Sequence, residues 1–177
     1  MAGYFTYFPQ FTYDVKGDGT AKLVTDILRR VKVRNQIRDN VSFFDKYNVQ
    51  DGETPEDIAY KLYGDSELHW VVLMVNNVKD RFFDWPLSQI QFQNYLQSKY
   101  TDPDGVHHYE ITQSSGPTTS TDNSHIIEVN SSEVGATAVT NREYEDRLQD
   151  SKRQIQILDP DYLPYFVTEF EKQIGRG

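Results

Sequence analysis

The run YNVQDGETPEDIAYKLYGDSELHWVVLMVNN, Tyr47 to Asn77, decides the fold. Tyr47-Asn48-Val49 reads as a short strand stopped by the Asp51-Gly52 turn. Thr54-Pro55-Glu56-Asp57 is a helix start: Thr at the N-cap, Pro at the first helical position, and acids in the first turn where free N–H groups point. Ile58, Ala59 and Leu62 give that helix an apolar face, and Gly64 is placed to end it in a left-handed conformation. Asp65 or Ser66 can cap a second helix through Leu68, Trp70, Val71, Val72, Met74 and Val75, ended by Asn76-Asn77. It is apolar nearly all round, so it should be buried on several sides.

Working toward the amino terminus, Thr25 could cap a short helix carrying Ile27, Leu28 and Val31, followed by an extended reach to Phe43 and Phe44. Lys16-Gly17-Asp18-Gly19 is a turn. Tyr4 to Tyr13 reads as an extended aromatic arm interrupted by Pro9.

Toward the carboxyl terminus, Asp84-Trp85-Pro86 is a turn. Ser88 and Gln91 then make a capping box for a helix presenting Phe92, Tyr95 and Leu96. Val106 to Ile111 reads as a strand that His125 to Val129 could pair with. Ser114 to Ser124 between them is a Ser/Thr/Gly/Pro tract with no apolar anchor, expected to be a loop that tolerates shortening. Asn141 to Ile155 is helical in pattern, with Tyr144, Leu148 and Ile155 on one side and a Glu143–Arg147 pair. Gln154 to Leu158 alternates like a strand. A last helix follows Asp159-Pro160-Asp161, with Leu163, Phe166, Val167, Phe170 and Ile174 at amphipathic spacing.

Composition narrows the function. Mean hydropathy is −0.68, polar enough to suggest disorder, yet 14% of residues are aromatic, which disordered chains are not. Rings supply large contact areas in small cores and at interfaces. The net charge of −9 leaves no excess of cations to displace phosphate counterions, so nucleic acid is not an expected partner. One basic cluster, Arg29, Arg30, Lys32, Arg34 and Arg38, is flanked by Asp26 and Asp39 and suits a solvated or partner-facing surface. With no cysteine, disulfides and thiolate metal sites are excluded. The longest apolar run, Trp70 to Val75, is core-sized and too short to span a membrane. The first ten residues lack the basic and apolar regions of a signal peptide.

Catalytic chemistry finds little to stand on. His69 lies beside Trp70 on the apolar helix and reads as a packed, hydrogen-bonded residue. His107 and His108 are neighbours on a strand, where alternation should turn them to opposite faces and prevent shared chelation. Glu53 and Asp57 are the one carboxylate pair near the first turn. Glycoside hydrolysis needs such a pair around a sugar, but a turn residue and a helix N-terminal acid explain both. No cofactor or metal ligand set is expected.

Tyr47, Val49, Gly52-Glu53-Thr54, Ile58-Ala59 and Asn76, in that order, resemble a LysM module. The wider set is more specific. It comprises the opening Tyr4-Phe5-Thr6-Tyr7-Phe8-Pro9, then Thr25-Asp26-Ile27, Tyr63-Gly64-Asp65, His69-Trp70 and Asn76-Asn77, followed by Asp84-Trp85-Pro86, Tyr144-Glu145 and Lys152-Arg153. It is similar to the baseplate wedge proteins of contractile-tailed phages that carry a LysM-like domain. That resemblance implies a non-enzymatic virion subunit, assembled in the host cytoplasm, that clamps the inner wedge core. Its implied partners are other wedge and hub proteins and neighbouring wedge copies. Glycan-binding LysM modules close with a glycine-containing second strand; here the corresponding stretch, Val78 to Leu87, carries Phe82, Phe83 and Trp85 instead, which weakens the case for sugar recognition. The rival readings are a peptidoglycan-binding LysM module and a small cell-wall hydrolase.

The expected architecture is α+β. It has an N-terminal arm and short helix over 1–44, a LysM-like central domain with a following helix over 45–100, a β-hairpin with its Ser/Thr-rich loop over 101–140, and a C-terminal helical segment over 141–177. Expected partner contacts are Phe5, Phe8, Trp85, Phe166, Phe170 and Ile174, with the last helix exposing an apolar stripe if the small central core cannot cover it.

Overall fold

The computed structural model describes residues 3–34, 37, 41–113 and 125–175; the Ser114–Ser124 tract lies outside them. A 3-10 turn at Tyr4–Tyr7 precedes β1 (Gln10–Tyr13) and β2 (Lys22–Thr25). Next come β3 (Phe44–Asn48), α1 (Pro55–Tyr63), α2 (His69–Val75) and the single-turn α3 (Arg81–Asp84). They are followed by α4 (Gln89–Lys99), β4 (Val106–Thr112), β5 (Ile126–Val129), β6 (Thr137–Thr140) and α5 (Asn141–Arg153). The described chain ends with β7 (Gln154–Leu158) and α6 (Leu163–Gly175). This is an α+β protein. It forms two compact units, Met1–Trp85 with Arg153–Gly177, and Pro86–Lys152.

In the first unit the local signals act as their chemistry requires. The Thr54 hydroxyl accepts from the Asp57 amide at 3.2 Å while the Asp57 carboxylate accepts from the Thr54 amide at 2.9 Å. Gly64 ends α1 at φ +74°, a conformation that costs a side-chain-bearing residue energy. Asp65 caps a 3-10 turn over Ser66–Leu68 that leads straight into α2. On α2, Trp70, Val71, Val72 and Val75 are all buried. Each such side chain contributes roughly 1.5–3 kcal/mol relative to exposure.

The strand that completes this unit comes from far along the chain. β3 pairs antiparallel with β7, from Phe44↔Leu158 to Asn48↔Gln154. Asn76, which ends α2, then covers the backbone of Gln156: its Nδ2 donates to the Gln156 carbonyl at 2.8 Å and its Oδ1 accepts from the Gln156 amide at 2.8 Å. One side chain thus satisfies both polar groups of that strand residue. The turn after β7 delivers α6, whose Leu163, Phe170 and Ile174 join Ile58, Ala59, Val71 and Val75 in one core. The strand that pairs with β3 and the helix that completes this core thus come from residues that the sequence reading grouped into a C-terminal segment.

Two further expectations at the amino end change. The helix expected after Thr25 does not form, because Thr25 is the last residue of β2 and pairs with Gln10. Asp14 closes that hairpin, its carboxylate accepting from the amides of Lys16, Gly17 and Gly19. Arg29, freed from a helix, donates to the Ile174 carbonyl at 3.0 Å and so places a cation at the C-terminal end of α6. The Tyr4–Tyr13 arm is not extended throughout, since Tyr4–Tyr7 coils into the 3-10 turn.

In the second unit, Ser88 and Gln91 form the expected capping box and Phe92 and Leu96 are buried. β4 lies between β5 and β6, so the expected hairpin gains a third strand. α5 ends at Arg153, and Ile155 belongs to β7. Its buried face carries Glu145 and Gln149 rather than Tyr144 and Leu148. Glu143 and Arg147 attract one another across one helical turn, but each makes its hydrogen bonds elsewhere. Glu143 accepts from the Thr140 amide at 2.8 Å, capping the helix, and Arg147 binds Glu110 through two contacts of 2.8 and 2.9 Å. The Glu145 carboxylate is buried because Lys99 Nζ donates at 2.6 Å and the Tyr100 hydroxyl at 2.7 Å. Gln149 accepts from the Leu87 amide at 2.8 Å. Burial alone would push the Glu145 carboxyl up, but the bonds from Lys99 and Tyr100 outweigh it and hold it below its usual range. Lys99 is held above the ordinary lysine range, chiefly by Glu145 and then by Tyr95.

Two outcomes are expected. A fragment of residues 44–100 lacks β7 and α6, so its far-UV circular dichroism should be that of an unfolded chain; cooperative thermal unfolding of that fragment would show that β3 and α2 suffice without them. Glu145→Gln should cost about 1–3 kcal/mol at neutral pH. Since the folded carboxyl titrates lower than the unfolded one, its contribution is complete above the ordinary glutamate range and disappears as pH falls through the depressed value. The gap between wild type and Glu145→Gln in urea unfolding should therefore close on acidification, and a gap constant with pH would remove the ionised pair from the account.

Candidate interaction surface

An aromatic clasp joins both ends of the chain to α2. Trp70 on α2 meets Phe170 of α6 with ring centroids 4.5 Å apart and Phe166, one turn earlier, at 6.1 Å. From the amino-terminal 3-10 turn, Tyr4 lies 5.6 Å from Trp70 and 5.8 Å from Phe170, and Tyr7 lies 5.7 Å from Trp70. Phe8 meets Phe170 edge-on at 6.4 Å. Offset and edge-to-face pairs of this kind add about 0.5–1.5 kcal/mol each beyond simple burial. Burial pushes the Tyr4 hydroxyl up, against the nearby Arg30 charge, and pushes the Tyr7 hydroxyl up with help from Glu171 and Asp65.

Three of the six residues expected to face partners, Phe8, Phe166 and Phe170, are rings of the clasp. Phe8, Phe170 and Ile174 are buried in the first unit's core, and Phe166 is packed partly against it. The stripe on α6 is therefore not left uncovered. Trp70, Tyr4 and Tyr7 cover it. Trp85 is also buried, its Nε1 donating to the Glu53 carbonyl at 3.0 Å. Phe5 differs, being 62% exposed.

Exposed rings occur within Val78 to Leu87, the stretch that stands where a glycan-binding LysM module has its closing strand. Phe82 and Phe83 are 84% and 74% exposed on α3. α3 is held by the Asp84 carboxylate, which accepts from the Lys79 and Asp80 amides, and by Asp80, which accepts from the Phe82 amide. Arg81 also pairs with Glu56 on α1 at 2.6 Å. The available signal was the Asp80–Asp84 spacing, which lets both carboxylates accept from amides at the start of one helical turn. Leu28, next to the anchored Arg29, is 86% exposed.

The titratable candidates are engaged in structure. Glu53 accepts from the Tyr47 hydroxyl at 2.7 Å and from the Gln50 amide at 3.0 Å, and Asp57 belongs to the capping box. His69 is half-buried, its Nδ1 3.1 Å from the Ser66 carbonyl. His107 and His108 do not diverge as alternation requires. A register shift between Val106 and His108 breaks the period, and their Nδ1 atoms lie 2.9 Å apart. The His107 ring stacks on Tyr144 at 4.0 Å, and His108 Nε2 lies 3.6 Å from Glu110. Among the described residues, no group of three His, Asp or Glu side chains converges as a metal site.

A groove of roughly 640 Å³ runs between the 30–34 segment and α6. Val31, Met74, Phe166 and Phe170 supply apolar lining, and Arg30, Lys32 and Arg34 line it with positive charge.

A family model described as base plate wedge protein 53 matches residues 4–116, from the clasp's first tyrosine to just past β4. Baseplate wedge protein gp53 of Enterobacteria phage T4 is 37% identical over 43 residues, which is 24% of this chain and 22% of that protein. The aligned part is thus about a fifth of the T4 protein's length. The match over residues 4–116 takes in well over half of the sequence and includes the amino-terminal half of the clasp, both capped helices and Asn76. The chain belongs to the base plate wedge protein 53 family.

Proposed function

We propose that the chain is a non-catalytic structural subunit of a contractile-tail baseplate wedge, clamping the inner wedge core and joining wedges to one another and to the hub. The family match carries this reading. In this view β3, α1 and α2 form the LysM-like element, with β7 serving as its second strand. The state of the side chains supports an architectural role. Glu53 and Asp57 hold a turn and a helix end, and both tryptophans are buried instead of offering a ring face to a sugar. What the surface does offer is exposed apolar groups on stiff supports: Phe5 on the clasp, Phe82 and Phe83 on the doubly capped α3, and Leu28 beside Arg29. Anchors of this type concentrate interface energy while losing little entropy on docking.

The deciding experiment is assembly of baseplate wedges from purified components. The chain should enter wedges in a fixed ratio and should neither sediment with purified cell-wall sacculi nor clear them in a zymogram. Absence from wedges, or saturable binding to sacculi, would replace this reading with the peptidoglycan-binding one. Clearing that is abolished by Glu53→Gln would replace it with the hydrolase.

Two substitutions separate scaffold from surface. Phe170→Ala empties the centre of the clasp and should lower unfolding free energy by about 3–5 kcal/mol in urea titrations. Phe5→Ala should leave the melting temperature within a degree or so, because most of that ring is already in water, while reducing entry into wedges. Equal incorporation of Phe5→Ala and wild type would take Phe5 out of the interface.

A further inference from the structure

The groove between the 30–34 segment and α6 combines two features seldom found together on a surface that serves only the monomer. Its lining is apolar, with Val31, Val33, Met74 and Phe166 each only partly covered and Phe170 buried beneath. Arg30, Lys32 and Arg34 line the same groove, and none of them forms an ion pair among the described residues. The acid in the lining, Glu169, is partly neutralised by Lys172 at 3.6 Å. The local charge is therefore positive in a chain whose net charge is −9. Arg29 stands apart from this set because Asp26 and the end of α6 hold it.

A cavity of this size accommodates a few large side chains. Such a floor is stabilised by apolar contacts, and rim cations with no ion pair among the described residues favour negative charge in the occupant. Nucleic acid fits poorly, since it would bring phosphates to an acidic protein and leave the apolar lining wet. Building on the wedge-subunit reading above, we infer that this groove receives an acidic amphipathic segment of another baseplate protein, its apolar side chains seated against Met74 and Phe166 and its carboxylates against Arg30, Lys32 and Arg34.

Two measurements on the full chain in assembled wedges test this. A photo-reactive benzoylphenylalanine replacing Gln173, at the groove's α6 side, should cross-link to a segment rich in Asp and Glu interleaved with large apolar residues. Mass spectrometry identifies the segment. A cross-link to a neutral or basic segment, to DNA, or to nothing at all overturns the inference. The triple variant Arg30→Glu, Lys32→Glu, Arg34→Glu should keep its melting temperature and enter wedges with roughly tenfold lower affinity, a difference that shrinks as salt is raised. Incorporation of a folded triple variant at the wild-type level overturns the groove's role while leaving the wedge-subunit reading intact. Failure of the wild-type chain to enter wedges defeats the broader reading instead. If the triple variant unfolds, the cross-link alone decides.

Discussion

The pairing of β3 with β7 is the constraint from which the first unit follows. Strands this short hold few hydrogen bonds, and a two-stranded sheet is marginal by itself. The pair persists because each strand has a second commitment. β3 leads into a capped helix whose Ile58 and Ala59 are fully buried, and Gln156 on β7 is held on its outer side by Asn76. After β7 a short turn leads into α6, whose Phe166 and Phe170 pack on Trp70 of α2. The ring cluster around Trp70 then follows from sequence positions separated by most of the chain. Loop closure entropy rises only slowly with the length enclosed. Inserting Pro86–Lys152 between α3 and β7 is therefore compatible with a stable first unit.

The aromatic richness of so polar a chain also has a physical reason. A small unit has too little interior to bury many aliphatic side chains, so area per residue becomes the limiting quantity. Tyrosine and tryptophan solve this by burying a large ring while keeping one polar atom. Tyr63 shows how: its hydroxyl donates to the Leu158 carbonyl at 3.0 Å, and burial raises its ionisation well above that of free tyrosine. Trp85 does the same with the Glu53 carbonyl. The rings thus tie elements to one another as well as fill space.

The second unit is held differently. Its helix α5 turns Glu145 and Gln149 inward, where a hydrophobic pattern would have demanded apolar residues. Removing a carboxylate from water is costly unless its oxygens are met by donors, and Lys99 and Tyr100 meet them. Such a core gives directional specificity in place of bulk hydrophobic energy. The bulge before His108 likewise re-aims a side chain, bringing two imidazoles to one side of a strand.

Local chemistry alone determined much of this protein. The caps at Thr54 and Ser88, the stop at Gly64, the all-round apolar α2, the strand at Gln154–Leu158 and the amphipathic α6 were legible because each depends on groups a few residues apart. So were the structural roles of Glu53 and Asp57, whose partners lie close in sequence. The family resemblance was legible too, since it rests on short motifs. Tertiary structure alone decided which strand closes the sheet, because pairing preference is nearly the same for any alternating segment. It decided that Phe8, Trp85, Phe170 and Ile174 are core while Phe5, Phe82 and Phe83 face water, because an amphipathic stripe does not name what covers it. It also decided the inward turn of Glu145, where the apolar pattern pointed to Tyr144 and Leu148. A buried carboxylate depends on donors nearly fifty residues away, and no local pattern can announce them.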